Sequence, residues 1–271
     1  MEVQKMINGT LYKREIKSSI KLLVILGAVI TLYVSVIISM YEPELAKLLD
    51  SYVDLLPELM AAVGMTSGAT SLIKFMCSYL YGFILVIFPM LFCIFRANGL
   101  VAKYVDNNSM VSLLTAPVRR RTIAFTQAAV LISGILLLIT YCTILEWGCA
   151  EKYFPGQLDI TAFLTLNVGL FCLQLFIGGI CFLASCIFSD VKYSVGFGAG
   201  IPVVMYTTKM LVNMGGIGEN AKYFTFFSLF NPEGITSGES GAVVGVFALL
   251  IGGIALFGLG ITIFCKKDLQ I

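Results

Sequence analysis

The sequence predicts an all-α membrane protein with six transmembrane helices, and three observations carry that prediction. Of its 271 residues, 58% are hydrophobic and only 13% charged, with a mean hydropathy of +0.93; soluble domains are about half apolar and about a quarter charged. The apolar residues gather in six runs, at 22–40, 78–95, 123–145, 162–188, 195–212 and 242–265. Each is close to the ~20 residues a helix needs to cross about 30 Å of hydrocarbon. The alternating pattern of a membrane barrel is absent, which leaves helices as the way to satisfy a backbone in lipid. Residues 1–271 are read as one transmembrane domain.

Before the first run, Val3, Met6, Ile7, Leu11, Ile16 and Ile20 follow a helical stripe, with Lys5, Lys13, Arg14 and Lys17 off it. This pattern predicts a basic amphipathic helix at the inner leaflet, broken or kinked at Asn8-Gly9. The first span exceeds a signal-peptide core and no A-x-A site follows, so it is read as an anchor. After it, Pro43 suits a first helical position. Leu45, Leu48, Leu49, Tyr52, Leu56 and Leu59 then form one face, with Glu44, Lys47, Asp50, Asp54 and Glu58 on the other. A helix over 43–60 on the outer interface is expected, and its role as a gate is left open.

Orientation follows from lysine and arginine. With the N-terminus inside, Lys5, Lys13, Arg14, Lys17, Lys21, Arg96, Lys103, Arg119, Arg120, Arg121, Lys192, Lys266 and Lys267 lie on the cytoplasmic side. Lys47, Lys74, Lys152, Lys209 and Lys222 lie outside or at outer span ends, so the positive-inside rule places both termini in the cytoplasm.

The spans are poor in chemistry. No Asp, Glu, Lys or Arg falls near a span centre, and Glu146 and Lys209 are expected to snorkel from outer ends. That absence weighs against proton- or sodium-coupled transport and offers no acid–base pair for catalysis. The eight cysteines form no CxxC pair and the chain has no histidine; packing as small hydrophobes is expected, with no metal. Thr31, Ser35 and Ser39, Gln127 and Ser133, and Asn167 and Gln174 are read as interhelical hydrogen-bonding groups, with the lining of a polar path as the alternative. Two GxxxG pairs, Gly196/Gly200 and Gly241/Gly245, fit packing within one subunit and dimerisation equally well. There is no P-loop motif, so active transport would draw on a separate ATPase.

Between spans two and three, the segment Lys103-Tyr-Val-Asp-Asn-Asn-Ser-Met-Val-Ser-Leu-Leu-Thr-Ala-Pro-Val-Arg-Arg-Arg121 is basic at both ends. It carries an apolar stripe of Val105, Met110, Leu113 and Leu114 that stops at Pro117, which predicts a helix offered to a cytoplasmic partner. Within it, Asn108-Ser-Met-Val-Ser-Leu-Leu-Thr-Ala-Pro-Val-Arg-Arg120 resembles the G-T-M-E-x-L-L-A-T-P-V-S-R pattern of exporter-type (ABC-2-like) ABC transporter permeases. It departs at Asn108, where glycine is common, and at Val111, where an acidic residue is frequent. Leu11-Tyr-Lys-Arg-Glu-Ile-Lys17, Ile38-Ser-Met-Tyr-Glu-Pro-Glu44, Pro57-Glu-Leu-Met-Ala-Ala62 and Lys266-Lys-Asp-Leu269 are similar to a branch of that family from Gram-positive bacteria.

The resemblance implies six spans and a short coupling helix between spans two and three, with Asp106, Met110, Leu113, Leu114, Pro117 and Arg120 as ATPase-coupling residues. It implies a cytoplasmic ABC ATPase subunit as partner, with ATP and Mg on that partner and no cofactor on this chain. It further implies a homodimer or heterodimer of permeases among membrane lipids, with no nucleic acid bound. The chain itself would be no enzyme. Its task would be to move a substrate across the cytoplasmic membrane by alternating access. The alternatives are an ATP-independent six-span channel and a non-transporting scaffold or immunity protein.

Overall fold

A computed structural model describes residues 7–41, 55–65, 71–107, 118–215 and 223–267. In chain order its helices are α1 (Gly9–Ser39), α2 (Pro57–Ala62), α3 (Leu72–Met76), α4 (Ile84–Leu100), α5 (Ala102–Asp106), α6 (Arg120–Tyr153), α7 (Ile160–Ile187), α8 (Val191–Asn213), α9 (Pro232–Thr236) and α10 (Ser240–Lys266). A π-helical turn, Cys77–Tyr81, follows α3, and a 3-10 turn, Phe226–Leu229, precedes α9. Six helices are long and apolar enough to cross a membrane: α1, α4 with α5, α6, α7, α8 and α10. This is a multi-pass all-α membrane protein, and each predicted span overlaps one of those helices, the second only from Ile84 onward.

The ends differ from the expectation in informative ways. Asn8-Gly9, where the sequence predicts a break or kink, is where α1 starts: the Asn8 side-chain carbonyl accepts from the amides of Thr10 and Leu11 at 3.1 Å. An Asn at the N-cap satisfies donors that the first turn would otherwise leave open. The basic stretch and the first span are therefore one 31-residue helix. Its buried face recurs every four residues or so through Leu11, Glu15, Ser19, Leu26, Ile30, Val34 and Ile38. Packing against α6 extends beyond the apolar run, and Ile7 and Ile20 of the predicted stripe are exposed. On the opposite side, residues 42–54 of the predicted interfacial helix lie outside the described residues. The helix does not run unbroken to 60, because Leu56 sits at φ −131°, ψ 56° and Pro57 opens a new helix, α2.

Span two is broken too. Between the π-turn and α4 the chain passes Gly82 and then Phe83 at φ −135°, ψ −63°. A side chain at Gly82 would have its Cβ 2.6 Å from the Val63 carbonyl oxygen and 2.9 Å from that of Ser78. Only glycine allows the two backbones to approach this closely. The Tyr206 hydroxyl of α8 donates to the Gly82 carbonyl at 3.0 Å, capping backbone that the break would otherwise leave unsatisfied in an apolar setting.

Helix α7 is the axis of the bundle. It packs against α4, α6, α8 and most extensively against α10. The α7–α10 contact is close because Gly253 faces the backbone of Leu175 and Phe176, where a Cβ would meet atoms at 3.1–3.2 Å. Small residues at helix crossings let dispersion act across a short interaxial distance, the main attraction available between helices in lipid.

Candidate functional site

Two sets of polar residues stand at opposite ends of the bundle. The first gathers the N-terminal turns of α1, α6 and α8 with the C-terminal turns of α4, α7 and α10. Arg96, counted from sequence as one more cytoplasmic charge, is buried, and its Nη2 lies 2.6 Å from Glu15 Oε2. The same nitrogen donates to the Glu15 backbone carbonyl at 2.7 Å, and the Tyr104 hydroxyl donates to the other carboxylate oxygen. One carboxylate thus ties α1 to both α4 and α5.

Nearby, the Ser194 hydroxyl donates to Asn98, and the Ser185 hydroxyl accepts from the Ala102 amide at 2.9 Å. This last bond satisfies backbone at Val101, where φ −126° separates α4 from α5. Across the same end, Arg120 Nη1 donates to the Lys267 carbonyl at 3.1 Å. Lys267 Nζ donates to the carbonyls of Cys186 and Ile187 at 3.3 and 2.8 Å, a cation placed on the carbonyl-rich end of α7. Burial pushes the Lys267 ammonium below its ordinary pKa, with the neighbouring Cys186 thiol opposing that shift.

Of the predicted coupling residues, Asp106 is exposed in the last turn of α5 and Arg120 opens α6. Met110, Leu113, Leu114 and Pro117 lie outside the described residues. The structure therefore brings the two flanks of the segment to one end of the bundle. One flank is fixed through Ala102 to α7 and the other through Arg120 and Lys267 to the same helix.

The second set overturns a sequence expectation. Glu146 does not snorkel; it is fully buried on the inner face of α6. The Tyr81 hydroxyl, at the end of the π-turn, donates to Glu146 Oε2 at 2.6 Å. Asn167 of α7 donates to the Tyr81 oxygen at 2.7 Å and to the Phe163 carbonyl at 3.1 Å. Glu146 Oε1 and Asn167 Oδ1 are buried with no hydrogen-bond partner, and no lysine or arginine among the described residues reaches the carboxyl. Lys209, the other residue expected to snorkel, lines a cavity of about 440 Å³ with Cys77, Gly82, Asn213, Asn231 and Glu233.

The remaining polar groups divide. Thr31 pairs with Tyr141, Tyr12 donates to Ser133 at 2.9 Å, and Gln174 donates to the Val86 carbonyl at 2.9 Å, all between helices as expected. Ser39 bonds only within its own turn, to Val36. Gln127 is buried with both amide atoms unpartnered. Cys77, Cys93, Cys142, Cys172, Cys181 and Cys186 are buried free thiols, Cys149 and Cys265 partly so.

An apolar groove of about 750 Å³ opens between α1, α6, α7 and α10, walled by residues such as Phe125, Ile132, Phe171 and Phe257. The two GxxxG pairs also part company. Gly245 is packed against Leu229, whereas a Cβ at Gly196 or Gly200 on α8 would meet nothing within 4 Å.

Compared with known proteins, the chain matches no family model, no curated protein and no solved structure. Its function is therefore argued from these residues.

Proposed function

We propose that this chain is the membrane subunit of an ATP-driven ABC exporter in the cytoplasmic membrane, driven through the segment between spans two and three. The observation that carries this reading is the position of that segment. Its flanks, Ala102–Asp106 and Arg120, are held at the end of the bundle where Lys13, Arg14, Lys17, Lys103, Arg119, Arg121, Lys192 and Lys266 collect. The positive-inside rule makes that end cytoplasmic. An apolar stripe of Met110, Leu113 and Leu114 ending at Pro117 is the chemistry of a helix that docks in a partner's groove. The sequence has no P-loop, so the partner supplies ATP hydrolysis. Two copies of the permease would complete the path, and the uncovered Gly196/Gly200 face of α8 suits a close helix contact.

The test is purification of the full-length chain from cells expressing its own operon. A stoichiometric P-loop ATPase should co-purify, and Leu113→Asp with Leu114→Asp should release it while the permease remains folded in detergent. An ATPase retained undiminished by the double variant would overturn the coupling assignment. Solute flux through liposomes that hold the chain alone, without nucleotide, would establish the channel reading instead.

A further inference from the structure

The sequence places no ionisable group near a span centre, yet the fold buries one where a cation would be needed. Glu146 has one oxygen occupied by the Tyr81 hydroxyl and one with no partner; the Asn167 carbonyl oxygen beside it is also buried and unpartnered. Both open atoms are acceptors, so what the cluster lacks is positive charge or a donor. An ionised carboxyl in such a place costs several kcal/mol or more unless it is neutralised. Removing the charge by binding a cation removes that cost.

Among the described residues no lysine or arginine pairs with the carboxyl; the ammonium of Lys209 on α8 stands on the wall of the neighbouring cavity, with Glu233 on the same wall. Facing the carboxyl are Tyr81 and Cys77 from the π-turn, Cys142 one turn back on α6, and Asn167 from α7, none of which is a cation. Glu233 of α9 acts on Cys77 and adds only negative charge. The facing side of α1 contributes Ser35, close to Cys149 and uncharged.

An approach route also exists. Cys77 lines the 440 Å³ cavity at this end of the bundle, and one helical turn separates it from Tyr81. Tyr81 sits in a π-turn, a distortion that re-aims side chains and recurs at functional sites, held there by the glycine contact at Gly82.

We propose that Glu146, Tyr81 and Asn167 form a binding site for one small monovalent cation, a proton or a sodium ion, reached from the cavity that Cys77 lines. Occupancy neutralises the carboxyl and lets α6, the π-turn and α7 close on one another. Vacancy leaves an unpaired charge that drives them apart. The fold thus couples an ion on that side of the membrane to the packing of three helices, whatever the protein carries.

The experiment uses full-length protein in lipid nanodiscs. Infrared difference spectra are recorded against pH, and thermal unfolding against sodium chloride with choline chloride as the control, for wild type, Glu146→Gln and Tyr81→Phe. If a proton is bound, wild type shows a protonated-carboxyl band that titrates. Glu146→Gln abolishes the band, Tyr81→Phe shifts its titration, and Glu151→Gln on the exposed side of α6 leaves it unchanged. If sodium is bound, wild type is stabilised by sodium over choline and Glu146→Gln removes the difference. A Glu146 band that does not titrate, or no such band at all, with no sodium effect, overturns the site. Glu146→Gln keeps the shape of the side chain, and should it fail to fold, the Tyr81→Phe titration shift decides alone.

Discussion

Two carboxylates among the described residues are buried, and the fold treats them in opposite ways. Glu15 lies at the basic end of α1, paired with Arg96 and bonded by Tyr104, a set of charge-assisted contacts that joins three helices. Glu146 lies toward the other end, held by neutral groups, the Tyr81 hydroxyl and the Asn167 amide beside it, with an oxygen left over. In the first the charges cancel within the chain, although Arg96 Nε is buried without a hydrogen-bond partner. The second is open, and its balance depends on something outside the chain. Burial is common to both, and each set keeps a buried atom without a partner, so neither separates a fastening from a binding site; the presence of a counter-charge does.

That contrast can be broken or sharpened by substitution. The largest effect is expected for Arg96→Met, which strands the Glu15 carboxylate. Breaking a buried pair from one side costs about 3–5 kcal/mol, so unfolding in nanodiscs should shift strongly, and Glu15→Gln added to the same chain should recover most of the loss. If the single and double variants are equally unstable, Arg96 acts by packing and the pair is no fastening. Tyr81→Phe comes next. It takes a donor from Glu146 and an acceptor from Asn167, and leaving such groups unsatisfied costs about 1–3 kcal/mol; a change near zero would mean that other groups, Asn167 foremost, replace the hydroxyl. The smallest effect belongs to Ser133→Ala. Its partner Tyr12 is only partly buried, and interhelical bonds of this kind in membranes average about 0.6 kcal/mol. A loss as large as that of Arg96→Met would show that the α1–α6 contact, and not the ion pair, secures this end.

The sequence makes some of these features legible and hides others for physical reasons. Apolar length marks out six helices long enough to cross a membrane, because lipid demands it wherever a helix crosses, but it misplaces the start of the second. Helix ends are less visible. At α1 the residues from Gly9 to Lys21 bury Leu11, Glu15 and Ser19, a face that includes a charge and so escapes a search for apolar stripes. The break in span two is set by Val63 and Gly64 meeting Gly82, a contact no local window contains. Glu146 reads as an outer-end residue because position along the helix is visible while the face is not. One signal was present: Cys142, Glu146 and Ala150 are spaced by four and all buried, and small apolar neighbours one turn on either side mark an inward face. For the segment between spans two and three, Asp106 and Arg120 lie at the end of the bundle that the lysines and arginines of the sequence mark out.

The tie between Arg120, Lys267 and the end of α7 has a mechanical consequence. Arg120 grips the chain just after α10, and that residue's ammonium grips the last carbonyls of α7, while on the far flank the Ala102 amide is fastened to Ser185 of α7. A load applied between Asn107 and Val118 is thus delivered to one strut from two sides, so pulling and twisting both arrive at the helix that touches nearly all the others.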